Sequence, residues 1–298
     1  MHDVLANVQN LKIQCLDKGH VTLIDAMPRV VPESQKTADY AIVQAARVSY
    51  GDGTKTVNED RGLIRYLMRH RHTTPFEMVE FKFHCKMPLF VARQWARHRM
   101  SSTNEYSGRY SLIKDEFYYP ELGNVKKQSQ NNKQGGSESL SECDALAFIS
   151  HLQDISVKSY DIYEQYNQKE VAREQARMLL PVNVYTEWYW KIDLHNLLHF
   201  LALRCDSHAQ YEIRVFADAM LALIKPIVPV TIEAWEDYHP MRGALLLTKL
   251  EADALAEFLK SSLWQLKAPL LNVQNRREQS EWLEKAARLG LNTNFDSQ

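Results

Sequence analysis

The sequence predicts an α+β fold, with a central sheet flanked by helices and a helical C-terminal extension. Residues 80–86 alternate charged or polar side chains with apolar ones, which is the period of a half-buried strand. Residues 63–68 instead place four apolar side chains at the spacing of one helix face. Both periods occur in one chain of 298 residues, which is long enough to bury helices against a sheet.

Three segments are predicted to form strands. Residues 21–27 form a short one, and residues 80–86 form a second on the evidence of their alternation. Residues 182–192 are rich in Val, Tyr, Trp and Thr, which favour extended structure.

Apolar periodicity and capping residues predict helices between and after these strands. In chain order they are an Ala-rich helix capped by Thr37; a helix after Asn58 that ends before Pro75; a helix with Pro88 in its first turn and with Arg93 and Arg97 on one face; a helix from about residue 146 to about Asn167; a helix at 171–180, ended by Pro181; a helix at 194–204, capped by Asp193; and a helix that begins with a capping box of Ser207 and Gln210. Residues 73–77 are predicted to form a loop.

The chain is predicted to form one domain over residues 1–245, followed by the extension at 246–298. A polar segment at about 123–142, with Lys and Asn residues and a Gly-Gly pair, predicts a mobile surface insertion in that domain. Amphipathic helices are predicted in the extension, around 247–259 and 278–289.

Composition excludes several broad classes. The 36 Lys and Arg residues nearly balance 37 Asp and Glu to a net charge of −1, so no overall field attracts nucleic acid or a membrane surface. No apolar run reaches the roughly 18 residues that a membrane span needs, and the first residues do not resemble a signal peptide. The four cysteines are scattered, without metal-site or redox spacing. We therefore expect a cytoplasmic protein that binds neither nucleic acid nor membranes.

The densest group of chemically active side chains lies in residues 97–111. It contains three arginines, one histidine and one glutamate around Gly108. Arginine binds phosphate through two parallel hydrogen bonds and keeps its charge near neutral pH. The chain contains neither a Gly-x-Gly-x-x-Gly motif nor a Walker loop. The sequence therefore predicts a nucleotide site in which arginines hold the phosphates.

Residues 97–99 read Arg-His-Arg, and Ser107 follows after seven residues. This pattern resembles the signature of the flavin-dependent thymidylate synthases. The resemblance extends on both sides, through residues 90–95 and 104–111. It implies that the central sheet is mostly antiparallel and that residues 1–245 are the catalytic domain.

The resemblance also implies the reaction. Members of this family methylate dUMP reductively to dTMP, with 5,10-methylenetetrahydrofolate as the one-carbon donor and with FAD, reduced by NADPH, as the hydride source. By this likeness the chain is an FAD-dependent methyltransferase whose small-molecule partners are dUMP, NADPH and methylenetetrahydrofolate. A homotetramer with active sites between subunits is implied as well.

One set of residues is implied to bind the flavin. Its members are His72, Thr74, Glu77, Arg97, His98, Arg99, Asn104 and Glu105. Where some members of the family carry Asn-x-Arg and a later Asn, this chain has Asp193-Leu194-His195 and His199. Asp193, His195 and His199 are therefore predicted to contact the flavin in place of the Asn and Arg side chains of those members.

A second set is implied to surround dUMP. Its members are Gln94, Arg97, Glu105, Tyr106, Ser107, Gly108, Arg109, Arg177 and Arg204. Arg204 and Ser107 are the predicted catalytic residues. A guanidinium beside the uracil stabilises negative charge that develops in a desolvated site, which is the role implied for Arg204. Ser107 is predicted to orient the substrate, because no neighbouring base is evident that would make it a nucleophile.

Two other functions are compatible with parts of the sequence. His195 and His199 lie one helical turn apart and could bind a metal with Asp206 or His208. The Glu of a His-Glu-x-x-His motif is missing, and no metal is predicted. Aromatic residues around the arginines could stack bases in an RNA-binding module, but the net charge of −1 disfavours that function.

Overall fold

The computed structural model describes residues 1–48, 57–130, 135–239, 247–261, 276–289 and 291. The strands are β1 His2–Asp3, β2 Lys12–Cys15, β3 Gly19–Met27, β4 Val30–Val31, β5 Glu80–Pro88, β6 Ser102–Glu105, β7 Lys126–Gln128, β8 Gly136–Ser139 and β9 Tyr185–Asp193. Within the described residues, five of them form a sheet in the order β2-β3-β5-β9-β6, and every neighbouring pair is antiparallel.

Helices surround this sheet. They are α1 Asp39–Arg47, α2 Val57–Arg69, α3 Thr74–Glu77, α4 Leu89–Trp95, α5 Glu142–Gln168, α6 Arg173–Ala176, α7 Leu194–Arg204, α8 Tyr211–Ile224, α9 Pro229–Tyr238, α10 Lys249–Ser261 and α11 Arg276–Arg288. The predicted α+β class with an antiparallel central sheet is confirmed. No helix in the described ranges is both long and apolar enough to cross a lipid bilayer.

The central strands β5 and β9 place Phe81, Phe83, Trp188 and Trp190 on the face that the helices cover. Phe83 is paired in register with Trp190, and both are buried in the main core. Trp95 of α4 packs against Trp190 and against Phe200 of α7, with ring centroids 5.1 and 5.0 Å apart. Buried aromatic contacts of this kind each contribute on the order of 1 kcal/mol beyond the burial of area. They fix the end of α4 against the middle of α7.

The N-terminus of α9 is capped from a distant part of the chain. Asp39, in the first turn of α1, accepts hydrogen bonds from the backbone N–H groups of Val230 and Thr231, each at 3.0 Å. The predicted cap of α1 by Thr37 is wrong, since the Thr37 hydroxyl bonds to the Asp39 carboxylate and Ala38 occupies the cap position. Burial raises the pKa of Asp39, and hydrogen bonds from Thr231, Val230 and Thr37 oppose that rise.

Three predictions between residues 73 and 97 are corrected. Residues 73–77 are not a loop throughout, because α3 covers Thr74–Glu77 with Pro75 in its first turn, where a missing N–H costs little. The next helix, α4, ends at Trp95, so Arg97 lies in the turn after the helix and does not share a face with Arg93. Pro88 is the residue before this helix and not part of its first turn.

Two helix predictions later in the chain are corrected as well. The helix predicted at 171–180 is divided into α6 and a 3-10 turn at Arg177–Leu179. The capping box of Ser207 and Gln210 does not form, because α8 begins at Tyr211 without a side-chain cap. Asp206 instead closes a local turn by accepting from the backbone N–H of His208 at 2.8 Å.

The polar segment and the C-terminal extension both contain regular structure. In the segment predicted to be a mobile insertion, β7 and β8 form an exposed antiparallel hairpin, while residues 131–134 lie outside the described residues. The helices α10 and α11 lie within about two residues of the two predicted in the extension.

Candidate active site

Helix α7 carries several of the predicted site residues on its exposed side. Asp193 caps it, as predicted: its carboxylate accepts from the backbone N–H of Asn196 at 2.9 Å and from the Asn196 side chain at 2.7 Å. This cap satisfies orphan donors at the helix start. It also occupies the Asp193 carboxylate, for which a flavin contact was predicted.

The exposed side of α7 borders two adjoining cavities. The first, the arginine groove, has a volume of about 590 Å3. It is lined by Arg97, His98, Arg99, Met100, Ile192, Asn196, His199, Leu203 and Arg204. The second, the histidine groove, has a volume of about 490 Å3 and is lined by Leu67, Met68, Arg71, His72, Thr73, Phe76, His195, Leu198, His199, Trp235, Tyr238 and His239. His199 borders both grooves, so predicted site residues from three segments meet along one surface.

A hydrogen-bonded pair lies at the centre of the arginine groove. The Arg204 Nε–H donates to His98 Nε2 at 3.1 Å, and the rings of His98 and His199 are 6.0 Å apart. Burial, together with the nearby Arg204 and His199, lowers the pKa of His98 to about 4. His98 is therefore neutral at pH 7 and is the acceptor in this pair. Burial also lowers the pKa of Arg204, but an arginine stays cationic at neutral pH.

Two other cations of the arginine groove have no counter-charge among the residues that the structure describes. Arg97 and Arg99 are exposed, and within the described part of the chain neither guanidinium forms an ion pair or hydrogen bond. Guanidinium groups held at a concave surface without carboxylate partners are suited to bind an anionic ligand.

Four of the other predicted substrate residues form a second group together with two residues that were not predicted to bind substrate. This group, the Ser107 cluster, comprises Ser107, Gly108, Arg109 and Arg177 with Arg173 and Glu174. The Ser107 hydroxyl accepts from the backbone N–H of Arg109 at 3.3 Å, and Arg109 forms an exposed ion pair with Glu174 at 3.1 Å. Gly108 is buried beside Ile113 and Arg177: a Cβ atom there would lie 2.8 Å from Ile113 Cδ1 and 3.4 Å from Arg177 Cδ. A side chain at position 108 would therefore displace its neighbours.

The Ser107 cluster and the arginine groove lie at different ends of β6. This edge strand runs from Ser102 to Glu105 and spans about 10 Å at the usual rise per residue. In the described residues, the linings of the two grooves include none of Gln94, Tyr106 and the Ser107 cluster. One chain therefore presents the predicted site as two separate groups.

Side chains along β6 are held locally. Glu105 accepts from the Thr186 hydroxyl at 2.8 Å, and the Tyr106 hydroxyl donates to the Leu112 carbonyl at 2.5 Å. Asn104 is exposed on the strand.

Gln94 Oε1, on α4, is buried and has no hydrogen-bond donor among the described residues. A buried acceptor without a donor is unusual in a folded protein, so the atom is suited to receive a ligand donor.

Several residues of the grooves were not predicted from the sequence. Asn196, Arg71 and Tyr238 line the grooves, and Glu174 pairs with Arg109. Asn196 stands three residues after its cap partner Asp193, a spacing that could have indicated it. The others are brought in by tertiary contacts that leave no local signal. Among the described residues no group of three or more His, Cys, Asp or Glu side chains is arranged to hold a metal ion.

The chain has an α+β fold with an antiparallel central sheet, and its arginine groove is suited to an anionic ligand. The profile of the family described as "Thymidylate synthase complementing protein" matches residues 29–230. The chain thus belongs to the flavin-dependent thymidylate synthase family, which confirms the resemblance read from residues 97–107.

Similar proteins support this membership over most of the chain. The flavin-dependent thymidylate synthase of Dictyostelium discoideum is 51% identical over 292 residues, which are 98% of this chain and 92% of that protein. A flavin-dependent thymidylate synthase of Thermus thermophilus is 52% identical over 255 residues, 86% of this chain and 88% of that protein. A solved structure of the UMP/dUMP methylase PolB from Streptomyces cacaoi, bound with 5-Br dUMP, has a TM-score of 0.67 and 31% identity, and covers 76% of this chain and 98% of its own.

Proposed function

We propose that the protein methylates carbon 5 of dUMP to give dTMP, with FAD as its flavin, NADPH as the reductant and 5,10-methylenetetrahydrofolate as the one-carbon donor. Membership of the family supports the reaction. The observation in this chain that carries the proposal is the arginine groove, where Arg97 and Arg99 lie beside the His98–Arg204 pair and have no partner among the described residues.

The residues present fit a flavin dinucleotide. Arg97 and Arg99 provide two guanidinium groups for its phosphates, and in the described ranges neither group has a protein partner. The histidine groove offers His72, His195 and His199, which provide flat rings and hydrogen-bonding nitrogens beside this charge. Thr74 and Glu77 of α3 follow directly from the wall of that groove. When bound, the reduced flavin supplies the hydride of the reaction.

Arg204 is proposed to stabilise negative charge on the pyrimidine. Its guanidinium is partly desolvated and its Nε–H is held by neutral His98, so its remaining N–H groups have a fixed direction. Donors that are already oriented cost no reorganisation when charge develops in the transition state. His98 is thus a positioning residue for Arg204 as well as a neighbour of the flavin.

The Ser107 cluster is proposed to bind the phosphate and uracil of dUMP. In the part of the chain that the structure describes, the Arg109 side chain is held only by an exposed ion pair with Glu174. Such a pair contributes little in water, so a phosphate can replace the carboxylate. Arg177 lies against Gly108 and adds a second cation to the cluster. Ser107 offers a hydroxyl, and Gln94 Oε1 offers a buried acceptor for a donor on the substrate.

The separation of the two groups supports an active site shared between subunits of a homotetramer. An arginine groove from one copy would then face a Ser107 cluster from another. Helix α5 offers a surface for such contacts, because Leu146, Phe148, Ile155 and Val157 are between 49% and 58% exposed. The cytoplasmic location and the division into residues 1–245 and 246–298 stay predictions.

The test begins with the visible spectrum of the purified protein. We expect a flavin spectrum that NADPH bleaches without oxygen, and formation of dTMP when dUMP and methylenetetrahydrofolate are added. A colourless protein that neither takes up FAD nor makes dTMP would contradict the proposal. Steeply salt-dependent RNA binding by such a protein would favour the RNA-binding alternative.

A further inference from the structure

Helix α11 in the C-terminal extension, beyond the family match, is joined to α2 and α9 by a network of charged side chains. Arg65 of α2 donates to both oxygens of Glu278, at 3.1 Å each, and to Asp237 of α9 at 2.7 Å. The side chains of Arg65 and Glu278 are only 9% and 6% exposed. Two parallel hydrogen bonds between a guanidinium and a carboxylate define the orientation of both groups.

A second pair repeats this arrangement one turn further along α2. Arg69, the last residue of that helix, donates to both oxygens of Glu281, at 2.6 and 3.1 Å. The same carboxylate lies 3.2 Å from the His70 ring nitrogen Nε2. Tyr238 connects the two pairs, because its hydroxyl bonds to Glu278 and accepts from Arg69 at 3.3 Å. Its ring also lies under both guanidinium groups.

The network ends at the wall of the histidine groove. Residues 70–74 follow Arg69 directly and include Arg71, His72 and Thr73 of that wall. The backbone N–H groups of His70 and His72 donate to carbonyls in the last turns of α2, both at 3.0 Å. Tyr66 stacks on the rings of His70 and His72, at 4.3 and 5.9 Å. Tyr238 itself lines the groove.

We propose that Glu278 and Glu281 of α11 are positioning residues for the flavin site: they fix the end of α2 and thereby hold residues 70–74 in the conformation that forms the histidine groove. The proposal rests on the flavin being bound along that groove and adds a role for the extension. A buried ion pair often adds little net stability, because desolvation of the charges opposes their attraction. Two bidentate pairs at the end of one helix are better suited to fix an orientation than to raise the free energy of unfolding.

Hydrogen exchange in the flavin-free full-length protein tests the structural part of the proposal. In Glu281→Gln the neutral amide cannot accept two charge-assisted bonds, so the backbone amides of residues 70–74 should exchange about tenfold faster, equivalent to about 1.4 kcal/mol. Glu116→Gln is the matched control, because it breaks a comparably buried pair with Lys86, 2.8 Å long, on the sheet. Unchanged exchange at 70–74 in Glu281→Gln, or equal acceleration there in the control, would overturn the proposal.

Flavin affinity tests the functional part. The dissociation constant for FAD should rise about tenfold in Glu281→Gln. It should rise less in Glu281→Asp, which keeps the charge, while the dissociation constant for dUMP stays unchanged. Equal weakening of both ligands would indicate a general loss of structure and would contradict a positioning role.

The two proposals fail in different ways. If the wild-type protein binds no FAD, the proposed function fails and the positioning role toward flavin fails with it, whatever the exchange rates show. If the wild-type protein binds FAD and Glu281→Gln binds it equally well, only the positioning role fails.

Glu278 is more deeply buried and its substitution can prevent folding, so Tyr238→Phe serves as the second variant. It removes the hydroxyl that joins the pairs and should accelerate exchange at 70–74 in the same direction.

Discussion

At the scale of single residues, the site depends on which charges have protein partners. Arg109 has a carboxylate partner and Arg204 has a neutral histidine, whereas Arg97 and Arg99 have neither among the described residues. These differences assign separate roles to chemically identical side chains. The sequence could indicate that these arginines belong to one functional segment. It could not indicate their partners, because His98 and Arg204 are 106 positions apart.

Replacement of Arg204 should separate catalysis from flavin binding. Arg204→Ala should lower the rate of dTMP formation about 100-fold or more, since the loss of one oriented donor to developing charge has an effect of that size. FAD should remain bound, because Arg97 and Arg99 are intact. Turnover and the flavin spectrum are measured on the same sample. Arg214→Ala, which removes a half-buried arginine of α8 that bonds to the Ser207 carbonyl, is the control and should leave both unchanged. Complete loss of flavin in Arg204→Ala would contradict the assignment.

The neutral state of His98 should make stability depend on pH in mild acid. Its pKa is about 4 in the folded protein and 6.5 ordinarily. Below pH 6.5 the unfolded chain therefore binds a proton that the folded protein does not, and stability is lost as the pH falls from 6.5 towards 4. Buried His20 has a folded pKa of about 4 as well and acts with the same sign. Glu281, with its pKa lowered to about 2, loses its contribution only below about pH 4.5.

Urea unfolding between about pH 8 and pH 4 measures this dependence. The free energy of unfolding of His98→Gln should decline less steeply below pH 6.5 than that of the wild type. His20 should account for part of the slope that remains. Parallel curves for the two proteins would show that His98 is not kept neutral by the fold.

At the scale of elements, the patterns of apolar side chains in the sequence predicted the strands and helices that form the core. Strand β5 and helix α2 were predicted from the spacing of their apolar side chains. Strand β9 was predicted from residue types that favour extended structure, and α7 from its apolar residues and its cap by Asp193. Strand β6 was missed because all four of its side chains are exposed and only its backbone pairs with β9. The prediction also placed Arg97 inside α4, which ends at Trp95. The turn after this helix leads into exposed β6, so no apolar pattern marks where the helix ends. Sequence periodicity carries no signal where backbone hydrogen bonds alone define the element.

The cap of α7 offers a test at this scale. Asp193→Ala should lower the free energy of unfolding by about 1 kcal/mol, as is usual for a lost N-cap, and should also weaken FAD binding because α7 carries His195 and His199. Ser141→Ala removes the equivalent cap of α5, where Ser141 accepts from Asp144 N–H at 3.2 Å. That control should lose similar stability but keep FAD affinity. Asp193→Asn retains a capping side chain, so weak FAD binding in this variant would instead indicate a direct contact.

At the scale of the whole molecule, the residues of the proposed site lie in two separate groups of one chain. The arginine groove offers cations for a dinucleotide and the Ser107 cluster offers cations for a nucleotide phosphate, at different ends of β6. The resemblance implied that all these residues act together, but the order of residues along a chain does not specify which copy supplies each of them. A symmetric oligomer repeats both halves, so every groove can meet a cluster from a neighbour.

Complementation between two inactive variants tests this arrangement. Arg99→Ala disables the arginine groove and Arg109→Ala disables the Ser107 cluster, so each homo-oligomer should make little dTMP. Co-expression of the two variants forms mixed oligomers. If a site takes its groove from one copy and its cluster from another, about half of the grooves and about half of the clusters are intact, so about one quarter of random pairings have both. Activity should therefore recover to about a quarter of the wild-type value per site. If both halves act within a single chain, every site keeps one defect and no activity returns. Two variants of the same half, Arg97→Ala with Arg99→Ala, are the control, because both leave the groove defective in either arrangement.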